Sequence, residues 1–420
     1  MEKEQRRPYG VLGRTLGHSY TPVIYRELAG LDYRKFEREP DEVESFIRGD
    51  EWEGVNVTIP YKKDVVPYLD VLTPTALRLG NVNTITRLPD GRLQGDNTDY
   101  YGLKVLIESF DIDFTGREAL VFGGDGGAGS TCMRVLEDMG VRARSVGRTG
   151  SLTYDDLAQC PDTELVVNCT PVGMYPKCPE SVCDISVLPH LRALVDIVYN
   201  PARTGLMMQA KRLGIPSAGG MLMLVAQAEE AVERYTGKRL GMQRILEVTE
   251  IINRMEQSIC LIGMPGSGKT TVGRELADLL ERDFVDTDEE IERRYGKTPA
   301  QLIREEGEEA FRSRETAVLR SICGASRTVI SCGGGVVERQ ENYALLHQNS
   351  TIVRIDRDPA SLETKNRPLS LEVGLDELLE RREDAYQTWA DACVANIEDP
   401  HTTAVEIADE LGYEIKDDQR

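Results

Sequence analysis

Two glycine-rich turns, each placed between a predicted strand and a predicted helix, constrain this 420-residue chain more than any other feature. They read GGDGGAG at 123–129 and GMPGSGKT at 263–270. A turn of this kind normally follows a strand of a parallel sheet and opens a helix whose N-terminal N–H groups bind phosphate. Two such turns on one chain therefore predict two nucleotide-binding domains.

Strand and helix patterns alternate along the whole chain. Apolar runs predict strands at 119–123, 165–170, 193–199, 258–263 and 328–334, and helical spacing is found at 131–139, 221–228 and 271–280. This alternation predicts α/β domains with parallel sheets and crossover helices. A further helix over 240–255 would end the first part of the chain, with the boundary to the second near 256–258.

Composition narrows the class of partner. The 71 acidic and 50 basic residues give a net charge of −21, which argues against a nucleic-acid or anionic-membrane surface. The nine cysteines are scattered and odd in number, as is typical of reduced intracellular thiols. The sequence shows no secretory signal and no apolar run of about 18 residues that could cross a membrane. We expect a cytoplasmic protein acting on small molecules, and no feature indicates an oligomeric state.

The second turn fits the phosphate-binding pattern G-x-x-x-x-G-K-[ST]. Its backbone would cradle ATP, while Lys269 places a cation on the β- and γ-phosphates and Thr270 offers a hydroxyl to Mg²⁺. The predicted nucleotide-binding residues are Gly266, Ser267, Gly268, Lys269, Thr270 and Thr271. This motif predicts a nucleotide but does not identify the phosphoryl acceptor.

Later motifs indicate which molecule accepts the phosphoryl group. D-T-D at 286–288, GEEAFR at 307–312, GGG at 333–335, RPL at 367–369 and RREDAY at 381–386 follow in this order. Together with the phosphate-binding loop, they resemble shikimate kinase across 258–420. Taken alone, any one of these charged segments could instead be the solvent-exposed face of a helix without a role in binding.

The resemblance implies a role for each matching residue. Asp288 would bind the shikimate hydroxyls and help to deprotonate the attacking one, and Arg312 and Arg382 would hold the carboxylate. Gly334 would lie behind the ring, and Asp286 would support Mg²⁺ together with Thr270. Arg367 would close over the phosphates, so that Lys269, Asp288 and Arg367 are the catalytic candidates.

The first part of the chain carries a series of polar motifs. They are GHSYTP (17–22), NVTIPYK (56–62), GNVNT (80–84), GDNTDYYG (95–102), NCTPVGM (168–174), DIVYNP (196–201) and GMLMLVAQA (220–228). This series resembles shikimate dehydrogenase over roughly 8–250.

The residue types fit the reduction of a ketone on a small polyhydroxylated acid. A lysine ammonium at Lys62 can polarise a carbonyl and donate the proton that the new alcohol needs. Asp99 can orient that lysine and bind a neighbouring hydroxyl, although it could also cap the following helix. Short hydroxyl and amide groups suited to such a ligand are Ser19, Thr21, Thr58 and Asn83.

The resemblance also implies the rest of the first site. Tyr199 and Gln227 would complete the substrate pocket, and Gly220 with the backbone at Ile197 would line the nicotinamide. The glycine turn is matched at Gly124, Gly126, Gly127 and Ala128. About 20 residues further on, Arg148 and Thr149 stand where an NAD site would offer an acid, which favours NADP(H).

We therefore predict an α/β chain with three domains. Residues 1–102 would form a substrate-binding domain completed by helices at about 221–255, 103–220 a Rossmann-like NADP domain, and 257–420 a P-loop kinase domain. The predicted enzyme reduces 3-dehydroshikimate to shikimate with NADPH and phosphorylates the shikimate 3-hydroxyl with ATP. Alternatives are a quinate/shikimate dehydrogenase joined to a kinase for a related alcohol, or one half that only binds ligand.

Overall fold

The computed structural model describes residues 7–17, 20–358, 375–397 and 399–415. The chain forms two compact units. Unit 1 consists of Met1–Pro171, Val182–Tyr199 and Gln209–Arg254, and unit 2 of Val172–Ser181, Asn200–Met208 and Met255–Arg420. The predicted α/β class is confirmed, because parallel strands and helices build both units.

The first sheet of unit 1 has six strands in the order β2-β1-β3-β5-β6-β4. The strands are β1 (Tyr9–Gly13), β2 (Tyr33–Glu37), β3 (Gly54–Val57), β4 (Val71–Leu72), β5 (Thr84–Arg87) and β6 (Leu93–Asp96). The helices that belong to this part are α1 (Thr21–Ala29), α2 (Val43–Arg48) and α3 (Pro74–Leu79). Strand β5 runs antiparallel to β3 and β6, and a core around Trp52, Phe46 and Ile85 covers the sheet.

The second sheet of unit 1 is fully parallel, in the order β11-β10-β9-β7-β8. Its strands are β7 (Glu118–Phe122), β8 (Arg142–Val146), β9 (Thr163–Asn168), β10 (Ala193–Asp196) and β11 (Ser217–Gly219). The helices that follow β6 are α4 (Asp99–Glu108), α5 (Gly127–Asp138), α6 (Gly205–Arg212), α7 (Gly220–Thr236) and α8 (Met242–Glu256). Helices α4 and α7 touch closely at Gly102, where a Cβ atom would lie 2.6 Å from the Met223 carbonyl oxygen.

Unit 2 contains a five-stranded parallel sheet in the order β13-β14-β12-β15-β16. The strands are β12 (Ser258–Ile262), β13 (Asp283–Asp286), β14 (Thr328–Ser331), β15 (Ser350–Asp356) and β16 (Ala392–Ala395). The helices are α9 (Lys269–Leu279), α10 (Thr287–Tyr295), α11 (Pro299–Glu306), α12 (Glu308–Ile322), α13 (Glu341–His347), α14 (Leu375–Trp389) and α15 (Pro400–Glu410). Buried apolar side chains from β12, β14 and α14 form one core, as parallel strands covered on both faces require.

Two observed strands end earlier than the apolar runs from which they were predicted. Residues 193–199 read as one strand, yet β10 ends at Asp196, and residues 328–334 contain β14 only as far as Ser331. In both cases the remaining residues leave the sheet at its carboxyl edge. Ligand sites of parallel sheets form at this edge, so the apolar signal there belongs to cavity walls.

Two short segments, 172–181 and 200–208, belong to unit 2 although they lie far from the rest of it in sequence. The Arg203 guanidinium Nη1 donates to the carbonyl oxygens of His347 at 2.9 Å and Ser350 at 3.2 Å. The backbone N–H of Ala202 donates to Asn349 Oδ1 at 3.1 Å. The finer division of residues 1–255 into a substrate and an NADP domain stays a prediction.

Among the described residues, no helix is both long enough and apolar enough to cross a membrane. All nine cysteines are free thiols, and most of them are buried. The buried cysteines act as small packing groups.

We expect the Arg203→Ala substitution to destabilise unit 2, because it removes both hydrogen bonds from Nη1 to backbone carbonyls. The loss should be about 1–3 kcal/mol, since the carbonyls are partly buried and the donor is charged. Calorimetry of the full chain should show the transition of unit 2 moving to lower temperature. Arg304→Ala, at an exposed position of α11, is the control, and equal stability of the two variants would contradict the prediction.

Candidate active sites

Unit 1 contains a cavity of about 270 Å³ in which a lysine and an aspartate meet. Lys62 lies in the turn after β3, and Asp99 is the first residue of α4. The Lys62 Nζ donates to Asp99 Oδ2 at 2.6 Å, and the two side chains are 31% and 23% exposed. The pair is thus held in a fixed geometry while remaining open to a ligand in the cavity.

Amide and hydroxyl groups surround this pair. Asn83 Oδ1 accepts hydrogen bonds from the Thr98 N–H at 2.7 Å and from Thr84 Oγ1 at 3.0 Å. Gln227 Oε1 accepts from Thr98 Oγ1 at 3.3 Å. Because these bonds fix both amides through their oxygens, the Asn83 NH₂ group is held as an oriented donor, while the Gln227 NH₂ group uses one hydrogen on the Leu224 carbonyl oxygen at 2.9 Å.

The structure places most predicted substrate residues of unit 1 around one cavity. Its lining includes Thr21, Thr58, Lys62, Asn83, Asp99, Tyr199 and Gln227. Ser19 lies outside the described residues. The sequence motifs that carry these residues are widely separated, and the fold brings them together.

Asn56 also lines the cavity, and the sequence analysis gave it no role. Its Oδ1 accepts from the hydroxyls of Tyr25 at 2.6 Å, Tyr33 at 2.8 Å and Tyr235 at 3.0 Å. Burial raises the pKa of the Tyr33 and Tyr235 hydroxyls well above the usual value, so they stay protonated as donors. Asn56 therefore joins β3 to α1, β2 and α7 beneath the cavity floor.

The first glycine turn joins β7 to α5 and has a feature that the sequence match omitted. Gly124, Gly126 and Gly129 fit G-x-G-x-x-G, whereas the match ended at Ala128. A Cβ atom at position 129 would lie 2.1 Å from the Gly123 carbonyl oxygen, so only glycine allows this contact of helix and strand. No side chain caps the N-terminus of α5 at Gly126, as suits a phosphate-binding helix. Asp125 is exposed at the turn.

The glycine turn and the Lys62–Asp99 pair open into the same cavity. Ala128, Ile197 and Gly220 line it together with Lys62. A Cβ atom at position 220 would lie 2.0 Å from the Ile197 carbonyl oxygen, which explains why glycine starts α7. A dinucleotide held at the turn could thus place its reactive ring beside the lysine.

Arg148 and Thr149 follow the end of β8, the strand next to β7, and both are exposed. In dinucleotide-binding folds, the residues after the strand that corresponds to β8 contact the ribose. A guanidinium there pairs well with a phosphate group, as planar donors match its oxygens.

Unit 2 contains a second cavity, of about 180 Å³, next to its phosphate-binding loop. Lys269 opens α9, and its Nζ donates to the carbonyl oxygens of Gly263 and Met264, both at 2.9 Å. The hydroxyl of Ser267 is buried and finds no hydrogen-bond partner among the described residues. An unpaired buried hydroxyl is costly unless a ligand completes it, which fits a loop built around phosphate.

Thr270 and Asp286 form a pair of oxygen donors at the edge of this cavity. The Thr270 hydroxyl donates to Asp286 Oδ2 at 2.7 Å, and the other carboxylate oxygen accepts from the Asp288 N–H at 2.9 Å. Hydroxyl and carboxylate oxygens are the ligands that Mg²⁺ prefers, so this donor set fits the metal.

Asp288 projects into the cavity from the first turn of α10. Solvent reaches its side chain through the cavity, yet protein atoms surround the carboxylate on its other sides. This burial, together with the charges of Asp286 and Glu315, raises its pKa to about 7, although Lys269 and Arg312 oppose the shift. A carboxyl group with this pKa can change its protonation state near neutral pH, as a general base must.

Three glycines after β14 form one wall of the cavity. A Cβ atom at position 335 would lie 1.9 Å from Arg312 Nη2, and one at position 334 would lie 2.7 Å from the Pro265 ring. The Tyr386 hydroxyl of α14 donates to the Gly334 carbonyl oxygen. The backbone of this segment therefore approaches both an arginine and the phosphate-binding loop.

Arg312 and Arg382 both line the cavity and are almost fully buried. Arg312 Nη1 donates to Glu315 Oε2 at 2.8 Å, and both arginines pair with Glu338. Glu315 is fully buried, and burial raises its pKa although Arg312 opposes this. The sequence places Arg312 and Glu315 on one helical stretch, and their i,i+3 spacing on α12 signals their pairing, whereas no sequence signal indicates the contact with Glu338.

The predicted residues of unit 2 divide into three groups. Lining one cavity are Gly266, Lys269, Thr270, Asp286, Asp288, Gly334, Arg312 and Arg382. Ser267 and Gly268 in the loop and Thr271 in α9 are not part of this lining. Arg367 lies outside the described residues.

Comparison with known proteins gives two family matches. Residues 11–85 match the family model of the shikimate dehydrogenase substrate binding domain, and residues 265–412 match that of shikimate kinase. A shikimate dehydrogenase (NADP(+)) of Clostridium beijerinckii is 34% identical over 247 residues, which cover 54% of this chain and 90% of that protein.

Solved structures agree with these matches. A chorismate mutase/shikimate 5-dehydrogenase fusion protein from Clostridium acetobutylicum is similar with a TM-score of 0.55 and 29% identity, over 59% of this chain and 97% of that one. Shikimate 5-dehydrogenase from Thermus thermophilus, in complex with NADP(H) and shikimate, is similar with a TM-score of 0.51 and 29% identity, over 58% and 99%.

We expect Gly129→Ala and Gly127→Ala to differ sharply, although both lie in the first turn of α5. The first places a Cβ atom against the Gly123 carbonyl oxygen, whereas nothing lies within 4 Å of a Cβ atom at position 127. Gly129→Ala should lower the free energy of unfolding of unit 1 by about 1–3 kcal/mol. Gly127→Ala should leave it unchanged or raise it by at most about 1 kcal/mol. Denaturant unfolding checks this, and equal values would contradict the assigned contact.

Proposed function

We propose that this chain, which belongs to the shikimate dehydrogenase family and carries a shikimate kinase domain at residues 265–412, catalyses two consecutive reactions. Unit 1 reduces 3-dehydroshikimate to shikimate with NADPH, and unit 2 transfers the γ-phosphoryl group of ATP to the 3-hydroxyl of shikimate. One observation carries the proposal. Each unit has a cavity in which a glycine-rich phosphate turn meets charged and polar groups suited to a small ring acid.

In unit 1, Lys62 is the proposed proton donor. NADPH supplies the hydride that adds to the carbonyl carbon of 3-dehydroshikimate. The Lys62 ammonium donates a hydrogen bond to the carbonyl oxygen and then transfers its proton to that oxygen as the alcohol forms. Asp99, at 2.6 Å from Nζ, orients the ammonium and accepts a hydrogen bond from the neighbouring ring hydroxyl.

The other polar groups of the cavity would recognise the rest of the substrate. Thr21, Thr58, Asn83 and Gln227 offer hydroxyl and amide groups fixed by the fold, and Tyr199 closes one side. By resemblance, Ser19 joins this set. A site that pairs each substrate hydroxyl discriminates strongly against analogues that lack one of them.

The choice of NADP(H) rests on the end of β8. Arg148 presents a guanidinium and Thr149 a hydroxyl where a dinucleotide would place its ribose 2′-phosphate. Gly124, Gly126 and Gly127 would offer backbone N–H groups to the pyrophosphate, and Ile197 and Gly220, which line the cavity, would contact the nicotinamide.

In unit 2, Asp288 is the proposed base. It accepts the proton of the shikimate 3-hydroxyl as the oxygen attacks the γ-phosphorus and the bond to ADP breaks. Arg312 and Arg382 hold the shikimate carboxylate, and the backbone at Gly334 lies against the ring. Lys269 and, by resemblance, Arg367 neutralise charge on the phosphates, which is the main contribution a protein makes to phosphoryl transfer.

The loop residues Gly266 to Thr271 supply N–H groups to the ATP phosphates. Thr270 and Asp286 would hold Mg²⁺, whose charge neutralises the phosphate oxygens when it is bound.

A coupled assay tests both activities together. The full chain, given 3-dehydroshikimate, NADPH and MgATP, should form shikimate 3-phosphate. Lys62→Ala should lower the reduction rate by about 10²–10⁴-fold, the usual contribution of a general acid. The same variant should still phosphorylate added shikimate.

Lys63→Ala, at the neighbouring exposed lysine, is the matched control and should keep both activities. If quinate with NAD outperforms shikimate with NADP, the assignment of unit 1 fails. If the wild-type chain does not phosphorylate shikimate, that of unit 2 fails.

The kinase reaction should depend on the ionisation of Asp288. Because its pKa is raised to about 7, the carboxylate is protonated at lower pH and cannot accept a proton there. The kcat/KM for shikimate, measured at MgATP concentrations well below its KM, should therefore rise with pH through about 7 and level off above it, since under these conditions the parameter reports the nucleotide-free enzyme. Asp288→Asn should remove this rise and most of the activity.

Glu289→Gln changes the next residue, which pairs with Arg274 on the exposed face of α10, and should retain the wild-type profile. A flat wild-type profile, or an unchanged one in Asp288→Asn, would refute the proposed base.

A further inference from the structure

Glu338 lies between the two arginines that are proposed to hold the acceptor. Its Oε2 is 3.2 Å from Arg312 Nη2, and its Oε1 is 2.6 Å from both Nε and Nη2 of Arg382. Arg381 Nη2 donates to the same Oε1 at 2.5 Å. One protein carboxylate thus bridges Arg312 and Arg382 with its two oxygens, as the carboxylate of a bound acid would.

The surrounding charges balance. Arg312, Arg381 and Arg382 face the carboxylates of Glu308, Glu315 and Glu338. Burial alone would raise the pKa of Glu338, but Arg382 and Arg312 outweigh it and lower the pKa to about 2. Glu338 is therefore ionised at neutral pH, and an arriving carboxylate meets a cluster without net positive charge.

Arg312 does not need Glu338 to keep its place. Its Nη1 donates to Glu315 at 2.8 Å, its Nη2 also reaches Glu308 at 3.3 Å, and the Gly335 backbone packs against the guanidinium. The Nε of Arg312 is buried and has no hydrogen-bond partner among the described residues. The charge on Glu338 thus exceeds what positioning Arg312 requires.

We propose that Glu338 competes with the carboxylate of the acceptor for Arg312 and Arg382 and so weakens acceptor binding to unit 2. The inference rests on the proposed kinase function. An acceptor carboxylate must share these donors with Glu338 or displace it, and either course costs part of the binding energy that two arginines would provide. Glu338 then sets the affinity for the acceptor without contacting the reacting atoms.

Glu338→Gln in the full chain tests this proposal, because glutamine keeps the shape and one acceptor oxygen but removes the charge. The KM for shikimate in the kinase reaction should fall by about three- to tenfold, a change typical of losing one competing ion pair. The kcat should change little, and the KM for ATP should stay the same. Glu338→Ala should also lower the KM for shikimate. Agreement between the two variants shows that the change does not come from a folding defect of one of them.

Two controls make the result specific to charge. Glu341→Gln removes the same charge three positions further on, where Glu341 pairs with Arg339 at 3.1 Å and its side chain is 49% exposed, and should leave the KM unchanged. The carboxamide analogue of shikimate should gain nothing from Glu338→Gln, since it carries no charge to compete.

An unchanged or increased KM for shikimate in both Glu338 variants overturns the inference and leaves the kinase assignment standing. A wild-type chain that does not phosphorylate shikimate defeats the kinase assignment, and the inference falls with it.

Discussion

Both cavities depend on backbone approaching closer than any side chain would allow. Helix α5 meets β7 at Gly129, helix α7 meets the end of β10 at Gly220, and the segment after β14 meets Arg312 at Gly335. A Cβ atom at position 129 or 220 would lie about 2 Å from a backbone carbonyl oxygen, so these two contacts require glycine. A Cβ atom at position 335 would displace the Arg312 guanidinium from its place. Gly220 and Gly335 line the two cavities themselves, and Gly129 follows Ala128, which lines the first.

Carboxylates then orient the cations that face each cavity. Asp99 holds Lys62 and Glu315 holds Arg312, each at hydrogen-bond distance. The two pairs differ in burial, since Lys62 and Asp99 remain partly exposed whereas Glu315 is fully buried. A partly exposed pair can exchange a proton with solvent after each turnover. A buried pair is better suited to holding a guanidinium in one position.

Much of the fold and of both sites could be predicted, because their signals are local. The strand–turn–helix patterns around 123–129 and 263–270 and the motifs carrying Lys62, Asp99 and Asp288 need only neighbouring residues. Contacts between distant segments could not be predicted in this way. The three tyrosines around Asn56, the bridge of Glu338 across two arginines and the membership of 200–208 in unit 2 depend on tertiary packing. Gly129 is different, because its G-x-G-x-x-G spacing with Gly124 and Gly126 is a local signal of the sequence.

The discontinuous make-up of unit 2 bears on the order of synthesis. The ribosome releases 172–181 and 200–208 well before β12 and β15 exist, yet Arg203 makes its hydrogen bonds beside β15. The hydrogen bonds from Ala202 and Arg203 to residues 347–350 can therefore form only after most of the remaining chain has been translated. A cut at the end of α8 would therefore deprive unit 2 of the hydrogen bonds that Ala202 and Arg203 make to it.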